Sequence, residues 1–446
     1  MVAKALVPRQ TAFQATFAAF LLLALVPLAS ARHAAGPAGS LATVQVLAPD
    51  AALVAVSHDG RNVYSAGGRS DRMHAYRPAS TGKLTLLPGK AGCIARTDPR
   101  CTRGGAINGP TALVIGRSGT SVFLASWTGR QHAALFGRSR STGALRLLSC
   151  LGEGTETAAC SPGGRRTTGA LAVTPDGRFG YLAAREGPKK VTIFSIGNGG
   201  RSLREVGCIG RATSTTCTRV RTFLFNPTAL VVSPDGRNLY VTSSTSKDHG
   251  IVFAFARHKT TGLVTPLAGA GACLSATVST CTPLRPLSFV DGSEGQPGGA
   301  IAISLDGRTA VVGGFPGPSS AHGIVLALGR DPGTGTLTAG GCLGEGTGCS
   351  PARMLGAVGA VALSPNGRTV YAGTFGSLVI ARLGSALSLS QLTGRYGCIV
   401  RPLAGAPQGC ATLPAGASGV WSIAASRDGH SLYAAAGKLV AFRVRG

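Results

Sequence analysis

The twelve cysteines are the most regular set of reactive side chains in this 446-residue chain. Thiols can form disulfides, bind zinc or act as nucleophiles, and their spacing helps to distinguish these roles. Zinc sites usually contain a ligand pair roughly two to four residues apart, whereas the closest cysteines here are seven apart and no histidines cluster beside them. The even count favours a disulfide framework built from consecutive pairs: Cys93 and Cys101, Cys150 and Cys160, Cys208 and Cys217, Cys273 and Cys281, Cys342 and Cys349, and Cys398 and Cys410.

Carboxylates, the usual general acids and bases, are scarce: 17 Asp and Glu residues stand against 44 Lys and Arg. Five aspartates belong to Asp-Gly turns: Asp59, Asp176, Asp235, Asp306 and Asp428. The acids left for another role are chiefly Asp291 and Glu294 in the longest insertion, with Glu153, Glu156 and Glu345 in cysteine loops. An acid–base pair would need two of these to converge with shifted pKa values. The alternative is that they are solvated loop carboxylates.

No other catalytic pattern stands out in the sequence. His58 and His430 occupy turns, and His74 and His132 begin predicted strands, so none is an obvious general base. Gly-x-Ser-x-Gly, His-Glu-x-x-His, Walker-type and EF-hand patterns do not occur. We therefore predict no catalytic residue, no metal site and no cofactor.

One sequence motif recurs seven times and shows which structural elements must position these side chains. Ser-Pro-Asp-Gly-Arg or a close variant occupies residues 57–61, 174–178, 233–237, 304–308, 364–368 and 426–430, with a degenerate copy at 116–120. The copies lie 58 to 71 residues apart. Proline and aspartate favour a tight turn, and glycine supplies the positive φ that returns the chain into a strand. Seven hairpins at this period indicate a repeat architecture.

Each repeat predicts four antiparallel strands and therefore one propeller blade. A strand of small apolar residues precedes the turn, a second and a third follow, and a Thr-Gly-x-Leu turn begins the fourth. The seventh repeat ends after its third strand, at 439–444, whereas a Gly-x-Leu strand at 38–47 precedes the first repeat. The predicted fold is an all-β, seven-bladed β-propeller whose ring closes by pairing the N-terminal strand with the C-terminal blade. Six cysteine pairs fit the six loops between blades, and repeat symmetry favours pairing within each loop.

Over residues 40–446 the repeats resemble those of the lactonase-like, YVTN-type seven-bladed propellers. The resemblance lies in the Ser-Pro-Asp-Gly-Arg motif, the Leu/Val-Tyr that follows it and the later Thr-Gly-x-Leu. In the enzymes of that family, the sugar lactonases and muconate cyclases, histidine, arginine and carboxylate side chains stand where the innermost strands begin, at the channel mouth. The corresponding segments here are 109–113, 168–171, 226–230, 298–301, 356–360 and 419–423, and none contains His, Asp or Glu. Asn226 and Trp421 are the binding candidates in these segments, with Asp291 and Glu294 as further candidates at the same mouth.

The N-terminus predicts export. Lys4 and Arg9 precede an apolar run at 17–26, and small residues at 29–31 fit a cleavage site, so residues 1–31 are interpreted as a signal peptide and 32–446 as the propeller domain. An uncleaved membrane anchor is the alternative, but the run is short and interrupted by Pro27. Loss of Lys4 and Arg9 lowers the net charge from +27 to +25. That charge favours anionic partners, and export makes nucleic acid an unexpected one.

Two functions fit these observations. The first is a secreted or cell-surface binding module, monomeric and without a membrane span, that presents its cysteine-tied loops to a protein, a peptide or an anionic polysaccharide. The second is a lactonase or related ester hydrolase that acts in the central channel. Strand starts without acid or base residues favour the binding module.

Overall fold

The computed structural model describes residues 36–446 apart from 69, 105–106, 108, 127–130, 153–159, 163–167, 185–189, 211–216, 221–225, 245–249, 285–299, 315–321 and 403–408. The predicted signal peptide lies outside the described residues. Strands form seven separate sheets, accompanied by short 3-10 turns at Gly89–Gly92, Asn198–Gly200, Gly269–Ala272 and Gly394–Tyr396. The chain is therefore an all-β, seven-bladed propeller, as the repeats predict.

The first strand and blades 1 to 3 occupy the N-terminal half of the ring. The first strand is β1 (Leu41–Ala51), and blade 1 contains β2 (Leu53–Val56), β3 (Val63–Ala66), β4 (Arg72–Pro78), β5 (Leu84–Leu86), β6 (Cys93–Ala95) and β7 (Thr102–Arg103). Blade 2 contains β8 (Pro110–Ile115), β9 (Ser121–Ser126), β10 (Gln131–Arg138), β11 (Leu145–Gly152) and β12 (Cys160–Pro162). Blade 3 contains β13 (Thr168–Val173), β14 (Phe179–Ala184), β15 (Val191–Gly197), β16 (Ser202–Gly210) and β17 (Cys217–Arg219).

Blades 4 to 7 complete the ring. Blade 4 contains β18 (Asn226–Val232), β19 (Asn238–Ser244), β20 (Gly250–Arg257), β21 (Val264–Pro266), β22 (Cys273–Ser275) and β23 (Thr282–Pro283). Blade 5 contains β24 (Ala300–Ile303), β25 (Thr309–Gly314), β26 (Ile324–Arg330) and β27 (Leu337–Gly344). Blade 6 contains β28 (Val358–Leu363), β29 (Thr369–Thr374), β30 (Ser377–Leu383), β31 (Leu389–Gln391), β32 (Cys398–Val400) and β33 (Ala411–Thr412), and blade 7 contains β34 (Ser422–Ala425), β35 (Ser431–Ala435) and β36 (Gly437–Val444).

The seven hairpin turns form as their sequence dictates. Their glycines adopt φ values between 68° and 75°, the left-handed region in which a side chain is strained. In the first turn, Asp59 Oδ1 accepts hydrogen bonds from Ser57 Oγ at 2.6 Å and from the Arg61 N–H at 3.1 Å. The aspartate therefore fixes the turn locally, which confirms the interpretation drawn from the sequence.

The ring closes between the two ends of the propeller. β1 pairs antiparallel with β36, with Leu41 opposite Val444 and Leu47 opposite Leu439, so blade 7 has the strand order β1-β36-β35-β34. Half-buried apolar side chains of β1 pack into the cores on either side of this sheet. The predicted closure is confirmed.

The cysteine loops add a strand that the sequence analysis did not predict. After the fourth strand, the cysteine loop returns the chain to the start of that strand's last segment. There it forms a short fifth strand parallel to the fourth in blades 1, 2, 3, 4 and 6. Blade 5 has a single parallel bridge there, between Leu343 and Ser350. The fourth strand is also divided in two in blades 1, 4 and 6. Every blade therefore contains at least the four predicted strands.

Disulfides close the cysteine loops beside the fourth strands. Five of the predicted pairs are present: Cys93–Cys101, Cys208–Cys217, Cys273–Cys281, Cys342–Cys349 and Cys398–Cys410. Cys150 is disulfide-bonded too, and its backbone stands in register with that of Cys160. Pairing within each loop is confirmed for the five described bridges.

Candidate functional site

The strand order gives the propeller two unlike faces. In blades 2 to 7 the innermost strand begins beside a cysteine loop, because that loop connects one blade to the next, and in every blade the innermost strand ends at the repeated hairpin turn. The turn between the second and third strands therefore shares a face with the cysteine loops. The Thr-Gly-x-Leu turn shares a face with the Asp-Gly turn. We call these the cysteine-loop face and the turn face.

Asn226 lies where β18 begins, on the cysteine-loop face. Its side chain is buried, and its backbone N–H donates to Ser243 Oγ at 3.1 Å. Two residues further on, the hydroxyls of Thr228 and Thr242 are 2.8 Å apart. These contacts join β18 to β19 within blade 4, so this polar start of an innermost strand is held by bonds inside its own blade.

Trp421 lies on the same face, immediately before β34 of blade 7, and its indole meets an aromatic neighbour. Its ring and that of Phe375, in the turn between β29 and β30 of blade 6, are 4.5 Å apart at an angle of 78°. Phe375 is 47% exposed and Trp421 is half-buried. Aromatic rings favour this edge-to-face arrangement. Phe375 is the one aromatic residue among the exposed large hydrophobic side chains of the described part of the chain. It was not predicted because nothing marks it in the sequence.

The backbone beneath the aromatic pair is fixed. Val420 N–H donates to Thr374 O at 2.8 Å, and Trp421 N–H donates to Ala435 O at 2.9 Å. A Cβ at Gly419 would lie 2.5 Å from Phe375 O, so only glycine fits where the two segments meet. The two rings are therefore presented by a rigid junction between blades 6 and 7.

The structure describes only some of the other candidates. Asp291, Glu294, Glu153 and Glu156 lie outside the described residues, and Glu345 is exposed just after β27. Asn226 and Trp421 are on blades 4 and 7, which are not neighbours. Within the described ranges, no group of three or more His, Cys, Asp or Glu side chains could hold a metal ion.

The turn aspartates have a second role that the sequence analysis missed, because they join neighbouring blades. Arg138, at the end of β10 in blade 2, directs Nη1 at Asp59 Oδ2 and Nη2 at Asp59 Oδ1, both at 3.0 Å. The arginine side chain is 0% exposed and that of the aspartate 32%. Asp176–Arg257 and Asp235–Arg330 form the same kind of pair between blades 3 and 4 and between blades 4 and 5.

A tyrosine completes each of these contacts. Tyr64 Oη donates to Gly143 O at 2.7 Å and accepts from Arg138 Nε at 3.1 Å. Tyr240 Oη donates to Gly335 O at 2.7 Å and accepts from Arg330 Nε at 2.8 Å, and Tyr181 Oη donates to Gly262 O at 2.7 Å. We call each set an interblade lock: Asp59–Tyr64–Arg138–Gly143, Asp176–Tyr181–Arg257–Gly262 and Asp235–Tyr240–Arg330–Gly335.

The pKa values of the lock residues fit a structural role. Partial burial alone would raise the pKa of Asp59, but hydrogen bonds from Ser57 and Arg138 outweigh that effect and hold the pKa below its usual value. At Asp176 and Asp235, too, burial alone would raise the pKa. Hydrogen bonds and the charges of nearby arginines outweigh that effect and lower the pKa. Burial raises the pKa of Tyr64 and of Tyr240 to about 12, so both hydroxyls stay protonated as donors. These groups stabilise the ring.

Comparison with known proteins supports the fold. No family model and no curated protein matches the chain. A solved structure of a protein from Lactobacillus plantarum is 16% identical, covers 77% of this chain and 84% of its own, and superposes with a TM-score of 0.51. A "putative 6-phosphogluconolactonase" from Bacteroides uniformis is 16% identical over 78% of this chain and 85% of its own (TM-score 0.49), and one from Bacteroides fragilis is 17% identical over 76% and 82% (TM-score 0.48).

This likeness shows the fold alone. Identities of 16% and 17% do not transfer an activity, since unrelated functions share propeller folds. Membership of the YVTN-type family stays a prediction.

Proposed function

We propose that this chain is an exported binding protein that holds an anionic polysaccharide against the Phe375–Trp421 pair on its cysteine-loop face. The observation that carries the proposal is the exposed aromatic pair beside the start of an innermost strand. Aromatic faces offer apolar area to a sugar ring at little cost in side-chain entropy. The rigid junction beneath the rings lowers the ordering cost of binding further.

Net charge and compartment support the class of ligand. With residues 1–31 removed as a signal peptide, the chain carries +25, which raises the local concentration of a polyanion. Disulfides form and persist in oxidising compartments outside the cytoplasm, where wall and capsule polymers are found. No helix in the described ranges is long and apolar enough to cross a membrane.

The binding test uses purified mature protein, an immobilised anionic polysaccharide and two substitutions, Trp421→Ala and Phe375→Ala. Each should weaken binding about tenfold, since loss of one stacked ring removes roughly 1–3 kcal/mol in comparable aromatic contacts. Leu263→Ala is the matched control, because Leu263 is 38% exposed but lies on the turn face. Equal losses in all three variants would contradict the proposed site. Binding of neutral peptides in preference to the polysaccharide would point to a protein ligand instead.

Salt and turnover separate the remaining possibilities. Raising the salt concentration from roughly 0.1 M to 1 M shortens the Debye length from about 10 Å to about 3 Å, so polyanion binding should fall steeply. Sugar lactones and aryl esters should not be hydrolysed, with or without divalent metal. Hydrolysis that Asn226→Ala abolishes would favour the alternative function, a lactonase or related esterase in the channel.

A further inference from the structure

The interface between blades 2 and 3 has none of the three side chains that form an interblade lock. Blade 2 has Ser118 where the locks have aspartate and Phe123 where they have tyrosine, and β15 of blade 3 has Ile196 where they have arginine. Phe123 is buried, and Ile196 packs half-buried against the same apolar core. Apolar packing therefore takes the place of the lock between these two blades.

The glycine of the lock is replaced as well, by an arginine. In the lock between blades 1 and 2, a Cβ on Gly143 would overlap Asn62 Nδ2, and Asn62 Oδ1 accepts from Arg138 Nε at 3.1 Å. Arg201 occupies the position of Gly143 in blade 3, two residues before the leucine that pairs with the end of the third strand in both blades. Ser121 stands where blade 1 has Asn62. The smaller serine leaves room for the side chain of Arg201.

These replacements accompany a groove between blades 2 and 3 on the turn face, which we call the 2–3 groove. Its volume is about 540 Å³, within the range of roughly 300–1,000 Å³ that is usual for small-molecule sites. Gly137 lines the groove without a side chain, and Leu145 and Leu148 line it beside Gly137. Leu145 is buried and Leu148 is half-buried, so part of the wall is apolar.

Two arginines give the 2–3 groove its charge. Arg146 of blade 2 and Arg201 of blade 3 both line it and are exposed, and neither guanidinium bonds another group of the described residues. Arg138 also lines the groove, but Asp59 already binds its guanidinium in the neighbouring lock. No aspartate or glutamate is among the described residues that line the groove. The groove thus combines two available positive charges, one from each blade, with an apolar wall.

We propose that the 2–3 groove binds a small amphiphilic anion, an acid group carried on an apolar chain. Arg146 and Arg201 bind the acid group, because guanidinium groups hold oxyanions through paired N–H donors. The chain covers Leu148 and removes its exposed apolar surface from water. The groove lies on the face opposite the Phe375–Trp421 pair, so this proposal is independent of the proposed function.

Titration calorimetry with octanoate tests the groove, using the mature protein at neutral pH and low ionic strength. The double variant Arg146→Gln with Arg201→Gln should lose about tenfold or more in affinity, since it removes two charge-assisted sets of hydrogen bonds. The matched control is Arg237→Gln with Arg368→Gln. These arginines are exposed in hairpin turns on the same face, and their loss changes the net charge equally, but they do not line the groove. The control should keep its affinity.

Two further ligands separate the acid group from the chain. Acetate lacks the chain and octanol lacks the charge, so each should bind about tenfold more weakly than octanoate. Equal affinity for acetate and octanoate would exclude the apolar contact, and equal affinity for octanol and octanoate would exclude the arginines.

Other outcomes also overturn the proposal. Equal losses in both double variants would show that net charge alone attracts the anion. A loss in Trp421→Ala with none in the Arg146 and Arg201 double variant would place octanoate on the aromatic pair of the other face. Burial of apolar surface changes the heat of binding with temperature. No heat with millimolar octanoate at either of two temperatures would therefore exclude the site.

Discussion

Blade interfaces of this ring differ in how they are held together, although the same repeat builds them all. Interfaces 1–2, 3–4 and 4–5 contain an interblade lock, whereas interfaces 5–6 and 7–1 have the turn aspartate but no arginine opposite it. In each lock the third strand of the second blade ends in an arginine. At the equivalent position, blade 6 has Leu383 and blade 1 has Pro78. Among the described residues, Asp306 and Asp428 bind only groups of their own turns, such as Ser304 and Ser426.

The difference separates two roles of one motif residue. A turn aspartate stabilises its hairpin in every blade that has it, and it joins blades only where the next blade supplies arginine. Interface 6–7 is a third case, since Asn366 replaces the aspartate and Tyr371 Oη donates to Gly39 O at 3.3 Å, next to the closing strand. The ring therefore combines locked interfaces, plain apolar interfaces and one that depends on closure.

Removal of the closing strand should have the largest effect. Deletion of residues 38–47 takes away most of β1 and the Gly39 acceptor, so it exposes β36 and loosens interface 6–7. We expect the melting temperature of the mature protein to fall by about 10 °C or more. Calorimetry checks this, and a deletion variant that melts with the intact protein would contradict closure as a source of stability.

Breaking a lock should come next. Arg330→Met leaves Asp235, Asn238 and Tyr240 without their shared partner and should lower the free energy of unfolding by about 2–3 kcal/mol. Leu383→Met, at the equivalent position of blade 6, is the matched control and should cost less than about 1.5 kcal/mol. Thermal or denaturant unfolding measures both. Equal costs would mean that the buried pair adds nothing to packing.

Acid should weaken the locked interfaces selectively. The folded-state pKa values of Asp59, Asp176 and Asp235 lie below the unfolded value of 3.8, so their contribution is present above that pH and is lost as pH falls through the folded pKa. Asp235→Asn should therefore flatten the decline of melting temperature below about pH 4. Asp306→Asn should flatten it less, because only its local turn bonds are involved. An unchanged decline in Asp235→Asn would contradict the lock.

The tyrosine hydroxyls should give the smallest effect. Tyr240→Phe removes the donor to Gly335 O and the acceptor for Arg330, at a cost of about 1–2 kcal/mol. Tyr371→Phe removes a single long bond with no arginine and should cost about 0.5 kcal/mol or less. Urea unfolding of the two variants measures the difference. A larger cost at Tyr371 would assign the stabilisation to the closing sheet instead.

Sequence reasoning reached the fold because turns and strands are local. Asp-Gly turns, Gly-x-Leu strands and tandem cysteines report on a few neighbouring residues, and their repetition along the chain strengthened each signal. The locks were missed because their partners are about 80 to 95 residues apart. The sequence nevertheless contains a signal. Where one repeat has Asp and Tyr five residues apart, as in Asp59–Tyr64, the next repeat has Arg and Gly five residues apart, as in Arg138–Gly143.

The candidate site was reached only in part. Trp421 could be singled out because it begins an innermost strand, a position that the repeat assigns. Phe375 could not, since it lies in a turn of the neighbouring blade and its meeting with Trp421 depends on how two sheets pack.

The fifth strands change the outer edges of the blades. A sheet edge with unpaired backbone groups can recruit a strand from another molecule, and propeller blades would otherwise present such edges all around the circumference. Here the outermost strands of five blades are only two or three residues long and are anchored by cysteine loops. In blade 7 the edge is β1, whose register shifts twice, between Thr43 and Gln45 and between Leu47 and Asp50. Short and irregular edges offer no template for sheet extension, so these six blades are protected against edge-to-edge aggregation.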